Sequence, residues 1–205
     1  SDHVRRKAFE VLRYFYRWCC ERGFASSNPL RDMRPPIIRD RPKTFLTKTE
    51  ALDLLSAVRY SGREHAQRDH ALLATLFYAG LRIGEVIRIK WPDLDLELGT
   101  LLVNGKGGKM ARIPLHPEIA RILREWELRR DPVCELVFPS RAAWHKTLGQ
   151  LDAYRVELML RKVYAPRAGL RGRVTPHTLR RSFATELRRR GVPLEHIQRL
   201  LRHYV

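Results

Sequence analysis

Residues 175–187 constrain the fold of this chain most tightly, because they carry the signals of an amphipathic helix with a defined first residue. Thr175 is a favourable N-cap, since its hydroxyl can accept a hydrogen bond from the free N–H groups of the first turn. Pro176 suits the first helical position because its φ angle is already fixed near the helical value. Apolar residues then recur every four positions and form a stripe that faces a core, namely Leu179, Phe183 and Leu187.

Two cationic side chains lie near the start of this predicted helix. His177 and Arg180 are three residues apart, so their side chains share one face. The backbone N–H groups and the helix dipole at a helix N-terminus favour anions. The pair therefore indicates an anion site, for which phosphate is the obvious ligand. The alternative is an ordinary basic helix end in contact with solvent.

The charge of the chain points to a polyanionic partner. Its 205 residues include 40 Lys and Arg against 22 Asp and Glu, which gives a net charge of +18. Such an imbalance favours nucleic acid as the partner. Ribosomal and chromatin-like proteins are also basic, but a chain that is 44% apolar has more material for a core than most of them.

The cysteines, histidines and apolar runs argue against a disulfide-rich, a metal-binding and a membrane-spanning protein. There are three cysteines, Cys19, Cys20 and Cys134. Because their number is odd and two are adjacent, we expect no disulfide framework and a reducing, cytoplasmic location. The histidines do not group with cysteines or carboxylates at the spacing of a metal site, so we expect no metal. No apolar run approaches the roughly 20 residues that cross a membrane.

The first part of the chain reads as one helix and a linker. Apolar residues at helical spacing run from Val4 to Cys19, and Gly23 is a natural helix end. Residues 31–43 are rich in proline and arginine, which predicts an irregular basic linker. Arg39, Arg41 and the neighbouring Lys43 can follow a phosphate backbone, or they can be solvated linker charges. We therefore divide the chain into residues 1–30, the linker 31–43 and a main domain at 44–205.

Several helices are predicted in the main domain. Thr47 and Glu50 form a capping box at the start of the first helix. A strongly apolar helix is expected over residues 71–78, ended by Gly80, and another over residues 150–163 with Tyr154 facing inward. A last helix is expected from Leu194 to about residue 201.

Arg82 follows Gly80 closely and is flanked by apolar residues. An arginine in such surroundings is rarely left unpaired. Glu85 is the natural partner in a structural ion pair. The alternative is that Arg82 reaches outward to hold a phosphate while Glu85 orients it.

A glycine-rich hairpin is predicted between two short strands. The strands cover residues 100–103 and 111–115, and the turn between them carries Lys106 and Lys109. The turn is not a phosphate-binding P-loop, because the spacing differs and a strand follows where a helix is required.

Five residues taken together give a specific pattern: Arg82, Lys106, His177, Arg180 and His203. They are the groups needed to neutralise a phosphodiester and protonate a leaving oxygen. Their order and contexts resemble the catalytic domain of the tyrosine recombinases, or phage-type integrases. The matching motifs lie at residues 79–85, 105–109, 175–180 and 200–203, and the resemblance covers roughly residues 45–203.

The resemblance implies a mainly α-helical domain with a small antiparallel β-sheet. It also implies that residues 1–30 are the last helix of an N-terminal core-binding domain, which clamps DNA together with the catalytic domain. The expected partners are double-stranded DNA and further copies of the chain, as a dimer on one site and a tetramer in synapsis. The expected location is the cytoplasm of a prokaryote, in association with the nucleoid.

The implied activity is the cleavage and rejoining of DNA strands through a 3′-phosphotyrosyl intermediate, without cofactor or metal. Arg82 and Arg180 would hold the scissile phosphate, Lys106 would act as general acid, and His177 and His203 would assist. Glu85 would orient Arg82. Seven further residues are expected to contact DNA: Arg39, Arg41, Lys43, Lys109, Arg173, Thr175 and Arg181.

The chain departs from the family pattern at three positions. Arg181 stands where many members have histidine, and Arg202 stands where glycine is common; we expect both to cost little. The family's nucleophilic tyrosine lies some residues beyond the last histidine, whereas only Tyr204 and one further residue follow His203 here. Either that segment is missing, or Tyr204 is that tyrosine joined across a missing stretch. We expect this chain to bind its site without forming a covalent adduct.

Two other functions remain open at this point. A type IB topoisomerase shares the chemistry but relaxes DNA without exchanging partners. A DNA-binding module without catalysis is the second alternative.

Overall fold

The computed structural model describes residues 2–37, 44–104, 108, 110–140 and 149–202. The chain divides into two compact units, Ser1–Lys43 and Thr44–Val205.

The first unit is built on one long helix. Helix α1 spans Asp2–Glu21, and the predicted end near Gly23 is confirmed. Gly23 adopts the left-handed conformation, with a φ of 74°. The N–H of Phe24 donates to the carbonyl of Cys19 at 2.8 Å, which is the hydrogen bond that closes many helix ends. The remaining described residues, up to Ile37, contain no regular secondary structure.

The core of the second unit surrounds one helix. Helix α2 spans Lys48–Arg59 and helix α3 spans Ala66–Ala79. The middle of α3 is fully buried, with Leu72, Leu73 and Leu76 at 0% exposure. Helix α3 packs against α2 and against two helices later in the chain, so it is the central element of the unit.

The predicted start of α3 at residue 71 is wrong, because the helix begins five residues earlier. Arg68 and Asp69 are buried inside it, where burying lone charges is costly. They are paired: Arg68 donates to Asp69 at 2.7 Å and to the carbonyl of Pro139 at 2.8 Å. The hydroxyl of Tyr164 donates to Asp69 at 2.7 Å. These partners are distant in sequence, so the apolar pattern alone does not reveal the buried first turn.

Capping residues begin the helices as the sequence indicates. The N–H of Glu50 donates to the Thr47 hydroxyl at 3.2 Å, and the N–H of Thr47 donates to the Glu50 carboxylate at 2.7 Å. The capping box of α2 is therefore confirmed. Helix α4 is a single turn over Ile83–Val86. Helix α5 spans Pro117–Glu127 and packs on α3.

A small antiparallel sheet accompanies the helices. Strands β1 (Leu94–Asp95), β2 (Thr100–Asn104) and β3 (Met110–Pro114) are hydrogen-bonded in that order. Strands β2 and β3 confirm the predicted pair, whereas β1 was not predicted. A second pair joins β4 (Pro139–Ser140) to β5 (Gly149–Gln150).

The helix predicted over residues 150–163 is only partly correct. Helix α6 covers Ala153–Met159, a π-helical turn covers Leu160–Tyr164, and α7 covers Ala165–Arg167. Tyr154 is exposed rather than buried, and the inward face is Val156, Leu160 and Tyr164. Tyr154 and Leu158 are four residues apart as well, so apolar spacing does not by itself choose between the two faces.

The last two helices pack in succession, the first of them on α3 and the second on the first. Helix α8 spans Pro176–Arg189, as predicted, and packs on α3, while α9 spans Leu194–Leu200 and packs on α8. The fold is therefore mainly α-helical with small antiparallel sheets, as expected. Among the described residues, no helix is both long and apolar enough to span a membrane.

Candidate active site

Arg180 joins three separate parts of the main unit. It lies one turn into α8 and is 4% exposed. One terminal nitrogen of its guanidinium donates to the carbonyl of Gly80, at the end of α3. The other donates to the carbonyl of Leu201, just after α9. Arg180 is thus held from both sides, and its position depends on where α3 and α9 end.

Arg180 remains a cation in these surroundings. Burial, with the neighbouring charges of Arg82 and Arg202, lowers the pKa of Arg180 to about 10, although Glu85 acts in the opposite direction. A group with this pKa is still protonated at neutral pH. Its described hydrogen bonds go to carbonyl oxygens, so the pairing leaves its positive charge uncancelled.

Gly80 places Arg82 beside Arg180. Gly80 ends α3 with a φ of 58°, a left-handed conformation that glycine adopts without strain. The chain then turns, and Arg82 becomes the N-cap of the single turn α4. A single residue, Leu81, therefore separates Gly80, whose carbonyl binds Arg180, from the second arginine.

Arg82 and Glu85 form the ion pair that was one of the two interpretations. A terminal nitrogen of Arg82 donates to one oxygen of Glu85 at 3.0 Å, and the backbone N–H of Arg82 donates to the other at 2.7 Å. The Arg82 side chain is nevertheless 45% exposed, against 6% for Glu85. The structure thus shows the ion pair, and it leaves part of the Arg82 side chain accessible; phosphate binding by Arg82 stays a prediction.

Arg202 is the residue that sequence reasoning missed. It was expected to be a harmless replacement for glycine, but it is 4% exposed and donates to Glu85 at 2.7 Å. Its φ is 52°. The frequent glycine at this position was the available signal, since it indicates a left-handed backbone. An arginine there needs a compensating contact, and Glu85 supplies it.

The protonation of Glu85 follows from these contacts. Burial alone would raise its pKa, but the hydrogen bond from the Arg82 backbone, the charge of Arg202 and the Arg82 side chain hold the pKa below the ordinary value. The carboxylate is therefore ionised at neutral pH. It lies between two guanidinium groups.

We expect Glu85→Gln to lower the free energy of unfolding by about 2 kcal/mol at pH 7, because the buried Arg202 would lose its hydrogen bond to a charged acceptor. The folded-state pKa of Glu85 is depressed. Its contribution is therefore complete above the unfolded pKa and is lost as pH falls through the folded one. Urea unfolding of both proteins should show a constant difference at neutral pH that shrinks below about pH 4. A difference that does not change with pH would contradict this account of Glu85.

The other predicted residues of α8 lie around its N-terminus. Thr175 is the N-cap, and its hydroxyl accepts from the N–H of Thr178 at 3.3 Å. His177 is exposed on the first turn, one turn before Arg180, and Arg181 is half-buried. Arg173 is exposed and forms an ion pair at 2.7 Å with Glu157, a residue of α6.

Seven predicted residues lie outside the described part of the chain: Arg39, Arg41, Lys43, Lys106, Lys109, His203 and Tyr204. Strands β2 and β3, which flank Lys106 and Lys109 in sequence, are described and pair in register up to Asn104 and Met110. Within the described residues, no group of three or more His, Cys, Asp or Glu is arranged to hold a metal ion.

The described geometry is suited to stabilising an oxyanion. One guanidinium is buried and fixed by two carbonyls, and a second is half-exposed and fixed by a carboxylate. Fixed cations of this kind stabilise negative charge that develops in a transition state, since they need little reorganisation. The planar guanidinium also matches the oxygens of a phosphate.

Comparison with known proteins gives matches to one family. The model of the phage integrase family matches residues 44–204. The tyrosine recombinase XerD of Neisseria meningitidis serogroup B is 30% identical over 203 residues, which cover 96% of this chain and 67% of the relative. The tyrosine recombinase XerC of Xanthomonas axonopodis pv. citri is 32% identical over 201 residues, which cover 97% of this chain and 63% of the relative. The chain thus spans about two thirds of the length of these curated relatives.

Solved structures show the same fold. The crystal structure of XerA recombinase has a TM-score of 0.69 at 27% identity, covering 100% of this chain and 69% of the other. A lambda integrase dimer bound to a core site has a TM-score of 0.74 at 20% identity, covering 94% and 69%. The family match, the curated relatives and the arrangement of Arg82, Glu85 and Arg180 lead to one conclusion. This chain belongs to the phage integrase family, the tyrosine recombinases.

Proposed function

We propose that the protein is a site-specific DNA recombinase that cleaves and rejoins strands through a 3′-phosphotyrosyl intermediate. The observation that carries the proposal is the convergence of Arg82 and Arg180 on the turn that follows Gly80. One guanidinium is fixed in the core and the other is accessible from outside. The similarity to named recombinases and integrases favours this function over the topoisomerase alternative.

In this proposal Arg82 and Arg180 bind the non-bridging oxygens of the scissile phosphate and stabilise the charge of the pentacoordinate transition state. Lys106 protonates the departing 5′-oxygen. His177 assists proton transfer at the tyrosine, and His203 donates to the phosphate. The energy of the broken bond is kept in the phosphotyrosine ester, so the reaction needs no ATP and no metal.

The role of Lys106 has a direct chemical test. A substrate with a 5′-bridging sulfur has a leaving group that needs no protonation. We expect Lys106→Ala to cleave the ordinary phosphodiester slowly and the sulfur-containing one at the parent's rate. Lys109→Ala is the control. If Lys109→Ala, and not Lys106→Ala, is slow on the ordinary phosphodiester and normal on the sulfur-containing one, Lys109 is the acid.

The DNA surface in this proposal includes the basic residues around the site and linker: Arg39, Arg41, Lys43, Lys109, Arg173, Thr175 and Arg181. The first compact unit serves as the end of a core-binding domain. The related structures include a lambda integrase dimer on a core site and a tetramer on a Holliday junction. We therefore propose a dimer on each site, a tetramer in synapsis, and a cytoplasmic location with the nucleoid.

We expect DNA binding to depend steeply on salt, because phosphate contacts by a chain with a net charge of +18 dominate it. Each phosphate neutralised should contribute about −0.9 to the slope of log K against log salt concentration. Fluorescence anisotropy with a labelled duplex at several salt concentrations measures the slope. A slope near zero would exclude the proposed DNA surface.

Covalent capture distinguishes a recombinase from a DNA-binding module. The binding site is first selected from a pool of random duplexes. A duplex of that site, nicked next to the scissile phosphate, then loses a short fragment on cleavage and traps the intermediate. The protein expressed from its complete reading frame should form a protease-sensitive DNA adduct in EDTA. Tight binding without an adduct would support the module instead.

A further inference from the structure

Arg202 occupies an unfavourable backbone position. Among the residues that the structure describes, it is the single non-glycine residue with a positive φ, at 52°. This conformation strains side chains that have a Cβ atom, and glycine would relieve the strain. The Nε of Arg202 is also buried without a hydrogen-bond partner among the described residues. Neither feature favours arginine here, so its benefit lies in its other contacts.

The favourable contact of Arg202 is with Glu85. A terminal nitrogen of Arg202 donates at 2.7 Å to the same Glu85 oxygen that accepts the Arg82 backbone N–H at 2.7 Å. The second Glu85 oxygen accepts from the Arg82 side chain at 3.0 Å. One carboxylate therefore joins two guanidinium groups that are far apart in sequence.

The three side chains differ sharply in exposure. Arg202 is 3% exposed and Glu85 is 6% exposed, whereas Arg82 is 45% exposed. Arg180 is equally buried but donates only to carbonyl oxygens. Arg202 instead donates to the Glu85 carboxylate, which matches its charge. It forms a buried pair with Glu85, and the partly exposed Arg82 side chain donates to the same carboxylate.

Charge balance gives this arrangement a function. Arg82 and Glu85 alone would form a neutral pair, and the carboxylate would repel an anion that approaches Arg82. The buried Arg202 neutralises the Glu85 carboxylate, so that Arg82 and Arg180 both retain an uncancelled positive charge. Because the pair is buried, solvent screens this effect less than it would at the surface.

We propose that Arg202 is a positioning and charge-balancing residue of the phosphate site. It neutralises Glu85, so that Glu85 fixes the direction of Arg82 without weakening its attraction for an anion. The adjacent Leu201 carbonyl holds Arg180, so this short segment after α9 acts on both arginines. The inference rests on the proposed function, since it assumes that Arg82 and Arg180 bind phosphate.

Isothermal titration of the protein with tungstate, a tetrahedral oxyanion, tests the proposal without requiring strand cleavage. We expect Arg202→Met to weaken tungstate binding about tenfold. This is the effect expected when one nearby positive charge, which solvent screens only in part, is removed. Arg199→Met is the matched control, because Arg199 is an exposed arginine in the last turn of α9. It should bind tungstate as the parent does.

A double variant separates charge from structure. Arg202→Met with Glu85→Gln removes both charges of the buried pair and restores the net charge of the site. We expect it to bind tungstate more tightly than Arg202→Met alone. If Arg202 only supports the fold, the second substitution should weaken binding further, which would overturn the proposal. If Arg202→Met does not fold, Arg202→Lys takes its place and should retain the parent's affinity; a tenfold loss there would also overturn it.

The remaining outcomes separate this inference from the proposed function. Parent-like binding by a folded Arg202→Met overturns the role of Arg202, and the phosphate site stands if Arg82→Met abolishes binding. If the parent shows no tungstate binding that depends on Arg82, both the phosphate site and the role of Arg202 are wrong.

Discussion

Arg82→Met should slow covalent strand cleavage by roughly 10²- to 10³-fold, the loss typical of removing one oxyanion-stabilising group. The fold should persist, because Arg82 is half-exposed and Glu85 keeps its hydrogen bond to Arg202. The rate is measured by covalent capture on the nicked duplex, in the protein expressed from its complete reading frame. Circular dichroism and urea unfolding verify the fold.

Arg88→Met is the control for this loss. Arg88 is an exposed arginine two residues after α4, and its Nε donates to the Gly84 carbonyl. Its removal should at most weaken DNA affinity, with the cleavage rate of bound DNA unchanged. Equal losses for the two variants would mean that Arg82 contributes only general positive charge.

Gly80→Ala should lower the free energy of unfolding by about 3 kcal/mol, the second large effect we expect. A Cβ at this position would lie 2.3 Å from Cδ1 and 2.8 Å from Cε1 of the Phe183 ring, which is far inside contact distance. The φ of 58° adds backbone strain for any residue other than glycine. The Gly80 carbonyl holds Arg180, so displacement of this turn should also disturb the site.

Gly62→Ala is the matched control for Gly80→Ala. Gly62 has a φ of 67°, and no described heavy atom lies within 4 Å of the position of its Cβ. It should show the backbone strain without the collision, a loss of roughly 1 kcal/mol in urea unfolding. Equal losses for the two variants would show that contact with Phe183 is unimportant. Partial rescue of Gly80→Ala by Phe183→Leu would confirm the collision.

The sequence was most informative where the signals are local. The capping residues Thr47 and Thr175 act on N–H groups within three positions, so they locate the starts of α2 and α8 without any tertiary information. Gly80 likewise marks the end of α3, because a left-handed residue is a local requirement. The pairing of Arg82 with Glu85 was predicted on the same basis, because the two residues are three positions apart.

The sequence was least informative where polar groups are paired over long distances. Arg68 and Asp69 lie inside α3 because Tyr164 and the Pro139 carbonyl satisfy them, and no local pattern shows these partners. The inward face of α6 was misassigned because its exposed residues Tyr154 and Leu158 are also four positions apart. The buried contact of Arg202 was not predicted, because its partner Glu85 is 117 positions away.

The central claim is that Arg82 and Arg180 act on the negative charge of the scissile phosphate. The most direct test compares Arg82→Met with the parent on two nicked duplexes, one ordinary and one with a neutral methylphosphonate at the scissile position. With one negative charge removed from the substrate, less cationic stabilisation is needed. We predict that the loss caused by Arg82→Met shrinks by at least an order of magnitude, about 1.4 kcal/mol, on the methylphosphonate. An equal loss on both duplexes would contradict the claim.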